Sequence, residues 1–423
     1  MAPSPDSPTP SASSVFRSRD FRLYVAGRFL ATLAIQMQSV AVGWQIYDLT
    51  NDALALGYVG LALFAPIAVL TLPAGDVADR FDRRRVLGAS ALVQALSAVA
   101  LLAITHAGGG AVAPFYAALA LFGAARAFAG PAQQSLLPLI VPTENFATAV
   151  AWGATAFKIA IIVGPALGGV LYLLGPEAVY AVCVALQLAL AATVIAIRAR
   201  AARGERTEAD SGAIARLLVG IAYVRRSPII LGAISLDLFA VLFGGVVALL
   251  PVFARDVLGT GPEGLGLLRS APAIGGIGLA LMLARRPLPG RAGLAMFGGV
   301  ALFGVCSIVF GLSRDFALSF AALALMGAGD MVSVYVRSTA IQLATPDSMR
   351  GRVSAVNLLF IGGSNELGDF RAGATAAWLG VVPAVFVGGL GTLAVVAIGA
   401  WLFPALRRLD RLGDLAPTAR SGP

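Results

Sequence analysis

Two long apolar stretches are separated by the segment Gly75-Asp76-Val77-Ala78-Asp79-Arg80-Phe81-Asp82-Arg83-Arg84-Arg85-Val86-Leu87, which contains four arginines and three aspartates. The first stretch, Ala55–Pro73, ends just before the segment, and the second begins at Val86. A helix needs about 20 apolar residues to cross the hydrocarbon core of a bilayer, and arginines collect in cytoplasmic loops. We therefore predict that the segment is a short, rigid hairpin on the cytoplasmic side of a membrane.

The composition excludes a soluble globular protein. Of the 423 residues, 58% are hydrophobic and only 13% are charged, whereas soluble domains carry charge on about a quarter of their residues. The net charge of +9 comes mainly from arginines between the apolar stretches. It therefore marks the cytoplasmic side and not a nucleic-acid surface, which would need aromatic residues within a basic patch. Cys183 and Cys306 both lie inside apolar stretches, so neither a disulfide framework, a metal site nor a cofactor is predicted.

Twelve stretches are apolar and long enough to be transmembrane helices, in two sets of six. The predicted spans are Phe21–Ile46, Ala55–Pro73, Val86–Thr105, Pro114–Leu136, Ala147–Leu173 and Ala178–Ile197, then Ile229–Phe253, Gly264–Ala284, Ala292–Leu312, Phe316–Ile341, Val353–Leu379 and Pro383–Phe403. The fold class is therefore an all-α membrane protein with 12 transmembrane helices in two pseudo-symmetric six-helix bundles, residues 21–197 and 229–405. Residues 198–228 form a cytoplasmic linker with an amphipathic helix near Ile214–Val224, resting on the membrane surface, and residues 1–20 and 406–423 are tails, the first of them disordered.

The arginines also predict the topology. The six odd-numbered connections contain only Arg255 and Arg314, whereas nearly all other loop arginines lie in the even-numbered connections and the two tails. Both termini are therefore predicted to be cytoplasmic. Arginine outnumbers lysine 30 to 1, which is typical of a GC-rich bacterial genome and favours the bacterial inner membrane.

An internal repeat supports two related halves. A shift of 204 residues places Pro142 on Pro346, and the same register pairs Gly123 with Gly327, Arg126 with Asp330, Gly164 with Gly368, and Gly169 with Gly373. Parallel repeats of this kind build transporters whose binding site lies between the halves, near the middle of the bilayer.

The pattern Gly-x-x-x-Asp-Arg-x-x-Arg-Arg at Gly75–Arg84 resembles the loop between helices 2 and 3 of the major facilitator superfamily of transporters. The resemblance implies a cytoplasmic gate formed by Gly75, Asp79, Arg80, Asp82, Arg83 and Arg84, in which Asp79 faces the start of span 11 near Met349–Arg352. A carboxylate is favoured at a helix N-terminus, so Asp79 is expected to latch the cytoplasmic side shut. The superfamily usually has glycine where this chain has Asp82, which we expect to pair with a neighbouring arginine.

Charged residues within the spans predict a hydrated interior, because each costs about 2.5–3.5 kcal/mol on insertion scales. They are Arg28, Arg126, Lys158, Asp237, Arg269, Asp330, Arg337, Glu366, Asp369 and Arg371. One interpretation is static salt bridges. The other is proton coupling, in which a carboxylate changes partners as it is protonated. Asp330 is the first candidate for this carboxylate because its repeat mate is Arg126, and Glu366, Asp369 and Asp237 follow.

Two further motifs resemble those of the superfamily. Arg126-Ala127-Phe128-Ala129-Gly130 is similar to its span-4 motif, which implies a part for Arg126 in proton coupling. Gly164-Pro165-Ala166-Leu167-Gly168-Gly169 is similar to its exporter motif, whose residues here are Gly164, Pro165, Gly168 and Gly169. Ordinary packing of small residues would explain the second motif equally well.

The stretches at Asp20–Phe29, Thr345–Asn357 and Asn365–Asp369 resemble the enterobactin-exporter branch of this superfamily, which also includes drug-efflux relatives. The resemblance implies a monomeric secondary transporter that exports a siderophore or similar amphiphilic small molecule in exchange for protons. Candidate substrate-binding residues, which combine positive charge, amides and one indole, are Arg28, Gln36, Gln38, Trp44, Lys158, Asn357 and Asn365. A multidrug efflux pump or an uptake permease of the same fold is the alternative. A membrane enzyme or receptor is the least supported, because no metal-ligand cluster, nucleophile elbow or phosphate loop occurs.

Overall fold

The computed structural model of the protein describes residues 15–198, 213–288 and 290–415. The side chains of Leu72, Asp79, residues 213–216, Asp347 and Ser348 lie outside that description. The described part of the chain contains helices and turns and no strand.

The helices follow the predicted spans closely. Their bounds are α1 Arg19–Thr50, α2 Ala53–Arg80, α3 Arg83–His106, α4 Ala113–Ile140, α5 Phe146–Tyr172, α6 Pro176–Ala196, α7 Ala213–Arg226, α8 Pro228–Gly244, α9 Leu250–Val252, α10 Pro262–Arg285, α11 Ala292–Leu312, α12 Phe316–Ala344, α13 Asp347–Leu379 and α14 Val381–Leu402. Among the described residues, 11 helical segments are long and apolar enough to cross a membrane. The one predicted span not among these 11 is the eleventh, which is α13, a helix of 33 residues whose polar and charged side chains, such as Asn357 and Asp369, lower its hydropathy.

The turn between the second and third helices, within Gly75–Leu87, is shorter than the sequence predicts. The predicted end of the second helix at Pro73 was wrong, because α2 continues to Arg80 and α3 starts at Arg83. Only Phe81 and Asp82 form the turn. Pro66 and Pro73 both lie inside α2, since a proline removes one backbone hydrogen bond and bends a helix without ending it where the following residues favour helix.

The chain divides into two compact units. Unit 1 comprises residues 1–41 and 65–208. Its core contains buried side chains of α1, α3, α4 and α6, including Phe21, Leu87, Leu136 and Leu190. Helix α3 packs along both α4 and α6, which is how a helix with apolar residues on more than one side buries them.

Unit 2 comprises residues 42–64 and 209–423. Helix α12 packs on both α10 and α11, and α11 also packs on α14. A core that includes Leu236, Met296 and Leu406 lies within this unit. Residues 42–50 of α1 and 53–64 of α2 belong to this unit, where a Cβ added at Gly57 would lie 3.1 Å from the carbonyl oxygen of Phe370. Glycine therefore permits close contact between α2 and α13. The division into bundles at residues 21–197 and 229–405 stays a prediction.

The amphipathic helix predicted near residues 214–224 is present as α7. It packs on α12 and α13: the hydroxyl of Tyr223 donates to the carbonyl of Ala344 at 2.9 Å, and a Cβ added at Gly220 would lie 2.8 Å from the carbonyl oxygen of Arg352. One apolar side of α7 thus contacts neighbouring helices, and its position on the membrane surface stays a prediction. Residues 199–212 of the predicted linker lie outside the described residues.

The seventh predicted span, Ile229–Phe253, is not one continuous helix. Helix α8 ends at Gly244, Gly245 and Val246 are not helical, and a 3-10 turn at Val247–Leu249 starts a second segment. This segment continues through α9 into a π-helical turn at Phe253–Val257. Breaks and π-turns of this kind free backbone groups from the regular ladder, so other residues must satisfy them.

Candidate functional site

Two carboxylates of α13 face α2. Glu366 and Asp369 are three residues apart, so they lie on the same face of their helix. A Cβ added at Gly60 of α2 would lie 3.3 Å from the Cβ of Asp369 and 3.5 Å from Oε2 of Glu366. Both acids are partly buried within unit 2.

Positive groups surround this pair. Arg269 of α10 interacts electrostatically with both Glu366 and Asp369, and Arg371 interacts with Asp369. The carboxylate of Asp369 also accepts a hydrogen bond from the backbone N–H of Ala248. We call Glu366, Asp369 and Arg269 the acid–arginine cluster. Two carboxylates beside one arginine form a set whose net charge changes when one proton binds, which is the chemistry that proton coupling needs.

Arg269 is the member that sequence reasoning missed as a site residue. It was recognised only as one of the charges inside the spans. The repeat register gave no pairing for it, because its position minus 204 is Ala65. Its one sequence signal is a lone arginine in an otherwise apolar span.

Arg371 binds the end of a broken helix. Its Nε donates to the carbonyl of Leu242 at 2.8 Å and its Nη2 donates to the carbonyl of Phe243 at 2.6 Å. These carbonyls belong to the last turn of α8, which carries a partial negative charge and has no partners within its own helix. A cation at this position is therefore stabilising.

Asp237 forms a buried ion pair in the structure. It is 5% exposed and pairs with Arg337 of α12, which is 3% exposed, and it accepts a hydrogen bond of 2.9 Å from the hydroxyl of Ser333. Nε of Arg337 has no hydrogen-bond partner among the described residues. A buried pair held this closely fits the salt-bridge interpretation better than the coupling one.

Asp330, the first candidate from the sequence, lies beside that pair. It lines a cavity of about 10 Å³ together with Asp237, Ser333 and Phe303. Such a volume suits about one water molecule. Asp330 is partly buried and belongs to unit 2, and Arg126, its repeat mate, is partly buried in α4 of unit 1.

The basic candidates of unit 1 have different surroundings. The guanidinium carbon of Arg28 lies 5.2 Å from the ring centroid of Phe157, a cation–π contact, and Arg28 also hydrogen bonds Tyr24. Lys158 is exposed on α5.

Two candidate amides keep buried acceptors without partners. Oε1 of Gln38 in unit 1 and Oδ1 of Asn357 in unit 2 are buried and have no hydrogen-bond partner among the described residues. A buried polar atom without a partner costs free energy, so each is suited to accept from a ligand or a water molecule. Asn365 is exposed and donates to the carbonyl of Ile361 at 2.9 Å, and Trp44 is partly buried.

The exporter-type motif packs α5 on α1 within unit 1. A Cβ added at Gly164 would lie 2.6 Å from the Cβ of Gln36, and one added at Gly168 would lie 2.8 Å from the Cα of Met37. Pro165 and Gly169 are also buried. This geometry fits the packing interpretation and places Gln36 against the motif.

The predicted cytoplasmic gate residues contact their own hairpin and, through Arg83, helix α4. Asp82 caps α3 by accepting from the backbone N–H of Arg84 at 2.9 Å, and it pairs with Nη2 of Arg84 at 3.0 Å. The hydrogen bond from Arg84 lowers the pKa of Asp82. Arg83 donates to the carbonyl of Ser135 at 3.4 Å, Arg80 is exposed, and Gly75 has no described heavy atom within 4 Å of an added Cβ. The side chain of Asp79 lies outside the described residues.

A second cluster joins the end of α1 to the π-helical turn. The hydroxyl of Tyr47 donates to Asp256. Nη1 of Arg255 lies 3.2 Å from Oδ1 of Asp48, and the guanidinium lies 5.5 Å from the ring centroid of Tyr47. We call Tyr47, Asp48, Arg255 and Asp256 the tyrosine–arginine cluster. The sequence placed these residues in two separate loops and gave no sign of their contact.

Comparisons with known proteins agree with this architecture. The family model described as transmembrane secretion effector matches residues 10–420. The chain is 24% identical over 418 residues to the enterobactin exporter EntS of Citrobacter koseri, covering 95% of each protein, and 27% identical over 389 residues to the multidrug efflux pump Tap of Mycolicibacterium fortuitum, covering 88% and 92%. Among solved structures, a bacterial homologue of the lysosomal transporter Spinster has a TM-score of 0.71 at 14% identity, covering 93% of this chain and 97% of the other.

Proposed function

The chain belongs to the transmembrane secretion effector family of major facilitator transporters, and on that premise we propose that it exports an amphiphilic small molecule, such as a siderophore, in exchange for protons. It is a multi-pass membrane transporter and not an enzyme. The proposal adds the coupling ion, the substrate class, a monomeric state, and a place in the bacterial inner membrane with both termini in the cytoplasm.

The observation that carries the proposal is the acid–arginine cluster. Asp369 is held by the N–H of Ala248 and attracted by Arg269. A proton on Asp369 would weaken both interactions. An anionic substrate bound to Arg269 would weaken the second one in another way, because it would compete with the carboxylate for the same guanidinium. Proton binding at Asp369 and anion binding at Arg269 are therefore linked through one contact, and linkage between two ligands is the requirement for coupled transport.

This choice moves the main coupling role from Asp330 to Asp369. The nearest described acid to Asp330 in their shared cavity, Asp237, is already neutralised by Arg337. A proton arriving there would therefore relieve less repulsion between carboxylates than one arriving between Glu366 and Asp369. Arg126 remains a candidate for coupling within unit 1.

The substrate class rests on charge and on the relatives. Arg28, Arg126 and Lys158 give the spans of the first half a positive charge, which suits an anionic ligand, and the amides of Gln38 and Asn357 offer acceptors. EntS is named for enterobactin export. Multidrug efflux is the second candidate, because Tap matches at comparable identity over most of both chains.

Transport in inverted membrane vesicles tests the coupling. We expect an imposed pH gradient, acidic inside, to drive accumulation of substrate, and Asp369→Asn to abolish that accumulation while exchange of labelled for unlabelled substrate continues. The control is Asp315→Asn, which changes a carboxylate that caps α12 by accepting from Leu318 N–H at 2.7 Å. Full gradient-driven transport by Asp369→Asn would reject the assigned coupling site.

Metabolite profiling of spent medium tests the substrate. A deletion strain grown under iron limitation should release less siderophore than its parent. Unchanged siderophore levels, together with increased sensitivity to toxic compounds, would instead support multidrug efflux.

A further inference from the structure

We propose that a basic cavity at the start of α11 binds the phosphate headgroup of an anionic phospholipid. The cavity has a volume of about 320 Å³ and is lined by three arginines, two leucines and one aspartate: Arg291, Arg407, Arg408, Leu294, Leu409 and Asp410. We call it the arginine cavity. It lies wholly within unit 2 and contains none of the residues assigned to transport, so the inference goes beyond the proposed function and does not depend on it.

The walls of the arginine cavity are joined by backbone hydrogen bonds between α11 and the C-terminal segment, residues 404–410. The N–H of Arg291 donates to Oδ1 of Asp410 at 2.7 Å. The N–H of Ala292 donates to the carbonyl of Asp410 at 2.9 Å, and that of Gly293 donates to the carbonyl of Leu409 at 3.0 Å. The first N–H groups of α11 are therefore already used, and a ligand would have to be bound by the arginine side chains. Because the walls are fixed in advance, little conformational entropy is lost on binding.

The positive charges of the cavity have no partner within the described part of the chain. None of the guanidinium groups of Arg291, Arg407 and Arg408 forms an ion pair or a hydrogen bond with a described residue, and all three side chains are exposed. Asp410 is the acid among the described lining residues, and its carboxylate accepts from the N–H of Arg291. Three cations and one anion leave a net positive charge, and guanidinium groups match the geometry of phosphate oxygens.

The backbone of Arg291 also points to a use for its side chain. Arg291 has a φ of 54° and a ψ of 40°, in the left-handed region. Residues other than glycine, asparagine and aspartate rarely adopt this conformation, because the Cβ approaches the following carbonyl oxygen. The backbone alone would therefore favour glycine at this position. Strain of this kind persists at functional sites, where the side chain is needed.

The depth of the cavity favours a lipid over a soluble anion. Helix α11 has 21 residues, and at 1.5 Å per residue this length matches the hydrocarbon core of about 30 Å, so its first residue lies at the membrane interface. Leu294, in the first turn of α11, is 48% exposed and adds an apolar contact to the cavity. Trp401, at the end of α14, is 78% exposed, and tryptophan is enriched at the same interface. Basic pockets at this level bind the headgroups of anionic lipids.

A bound lipid would connect two elements of unit 2. Arg291 precedes α11, whereas Arg407 and Arg408 belong to the C-terminal segment. A phosphate that contacts both sides adds a link between these elements, and it can do so only in the folded protein. A ligand that binds only the folded state raises the melting temperature as its concentration increases.

Thermal unfolding of the full-length protein, purified and delipidated in a non-ionic detergent, tests the site. The protein is titrated with dioleoyl phosphatidylglycerol, with dioleoyl phosphatidylcholine, which has the same acyl chains and no net charge, and with inorganic phosphate. We expect a saturable rise in melting temperature with phosphatidylglycerol alone. An equal rise with phosphatidylcholine, or no rise with any of the three, would overturn the proposal. An equal rise with inorganic phosphate would show a site for a soluble anion instead of a lipid.

Two variants remove the cations in different ways. Arg407→Gln with Arg408→Gln changes the C-terminal segment, and Arg291→Gly changes the start of α11. Glycine adopts the left-handed conformation without strain, so Arg291→Gly should fold as the parent does. The apparent affinity for phosphatidylglycerol should fall about fivefold for each arginine removed. Native mass spectrometry counts the bound lipid directly, so its result does not depend on the stability of a variant.

Arg411→Gln is the matched control. Arg411 is exposed and follows directly after Asp410, but it does not line the cavity, so this variant should bind phosphatidylglycerol as tightly as the parent. If Arg411→Gln loses as much affinity as Arg291→Gly, the lipid is attracted by the positive surface as a whole and the arginine cavity is not a site. Unchanged affinity in both cation-removing variants would overturn the proposal in the same way.

Discussion

Asp369 and Arg371 are two residues apart on α13 and bind the two opposite ends of one interruption: Arg371 at the carbonyls of Leu242 and Phe243, and Asp369 at the N–H of Ala248. One helix thus supplies both the cation and the anion that the broken backbone requires. This relationship connects a residue that can bind a proton to a segment whose far end carries Arg255 and Asp256.

Gly368→Ala should reduce transport and thermal stability together. The added methyl would lie 3.0 Å from the carbonyl of Val241, and overpacking of this kind costs about 1–3 kcal/mol. Gly362→Ala on the same helix is the matched control, since no described heavy atom lies within 4 Å of its added Cβ. Differential scanning fluorimetry and vesicle transport measure both effects. Equal melting temperatures for the two variants would show that α13 can move away from α8 at little cost.

Gly168→Ala tests the packing of the exporter-type motif in unit 1. The new methyl would meet the Cα of Met37 at 2.8 Å, which the backbone of α1 cannot relieve by rotating a side chain. We expect a loss of folded protein on size-exclusion chromatography. Gly130→Ala serves as the comparison, because no described heavy atom lies within 4 Å of its added Cβ. A well-folded Gly168→Ala variant that has lost transport would argue for a role beyond packing.

Asp79→Asn should cut transport while the amount of protein in the membrane holds. The expectation comes from the loop motif, in which the charge of Asp79 favours a helix N-terminus in the closed state. Asp76→Asn, an exposed aspartate three residues earlier, is the control and should transport normally. Unchanged transport by Asp79→Asn would refute the cytoplasmic latch.

Asp82 should make stability depend on pH. Its folded-state pKa is lowered by the hydrogen bond from Arg84, so its ion pair contributes stability at pH values above the unfolded-state pKa of about 3.9. That contribution is lost as the pH falls through the folded-state pKa. Asp82→Asn keeps a capping oxygen and removes the charge, so its melting temperature should lie below the parent's near pH 7 and approach it in acid. Asp82→Ala should cost about 1 kcal/mol more, since it also removes the cap of α3. A constant difference between parent and Asp82→Asn at all pH values would exclude the ion pair as the cause.

The location of α1 to α6, α8 and α10 to α14 could be predicted because the bilayer imposes its own length and polarity on each helix. One helix boundary was predicted wrongly because a proline does not always end a helix. The second helix is predicted to end at Pro73, but α2 continues to Arg80. The interruption after Gly244 was also missed. No local sequence signal marks this interruption, since glycine and proline also occur inside other helices of this chain, including α5 and α10.

The sequence by itself determined the class of protein, the helices, the basic hairpin and the set of charges that the membrane makes costly. These follow from short-range patterns, because hydropathy over about 20 residues decides whether a helix enters a bilayer. Only the tertiary structure decided the partners: Asp237 with Arg337, Asp369 with Ala248 and Arg269, and Arg255 with Asp48. Such pairs join residues distant in the chain, so they depend on which helix faces turn toward each other, and helix packing alone sets that choice.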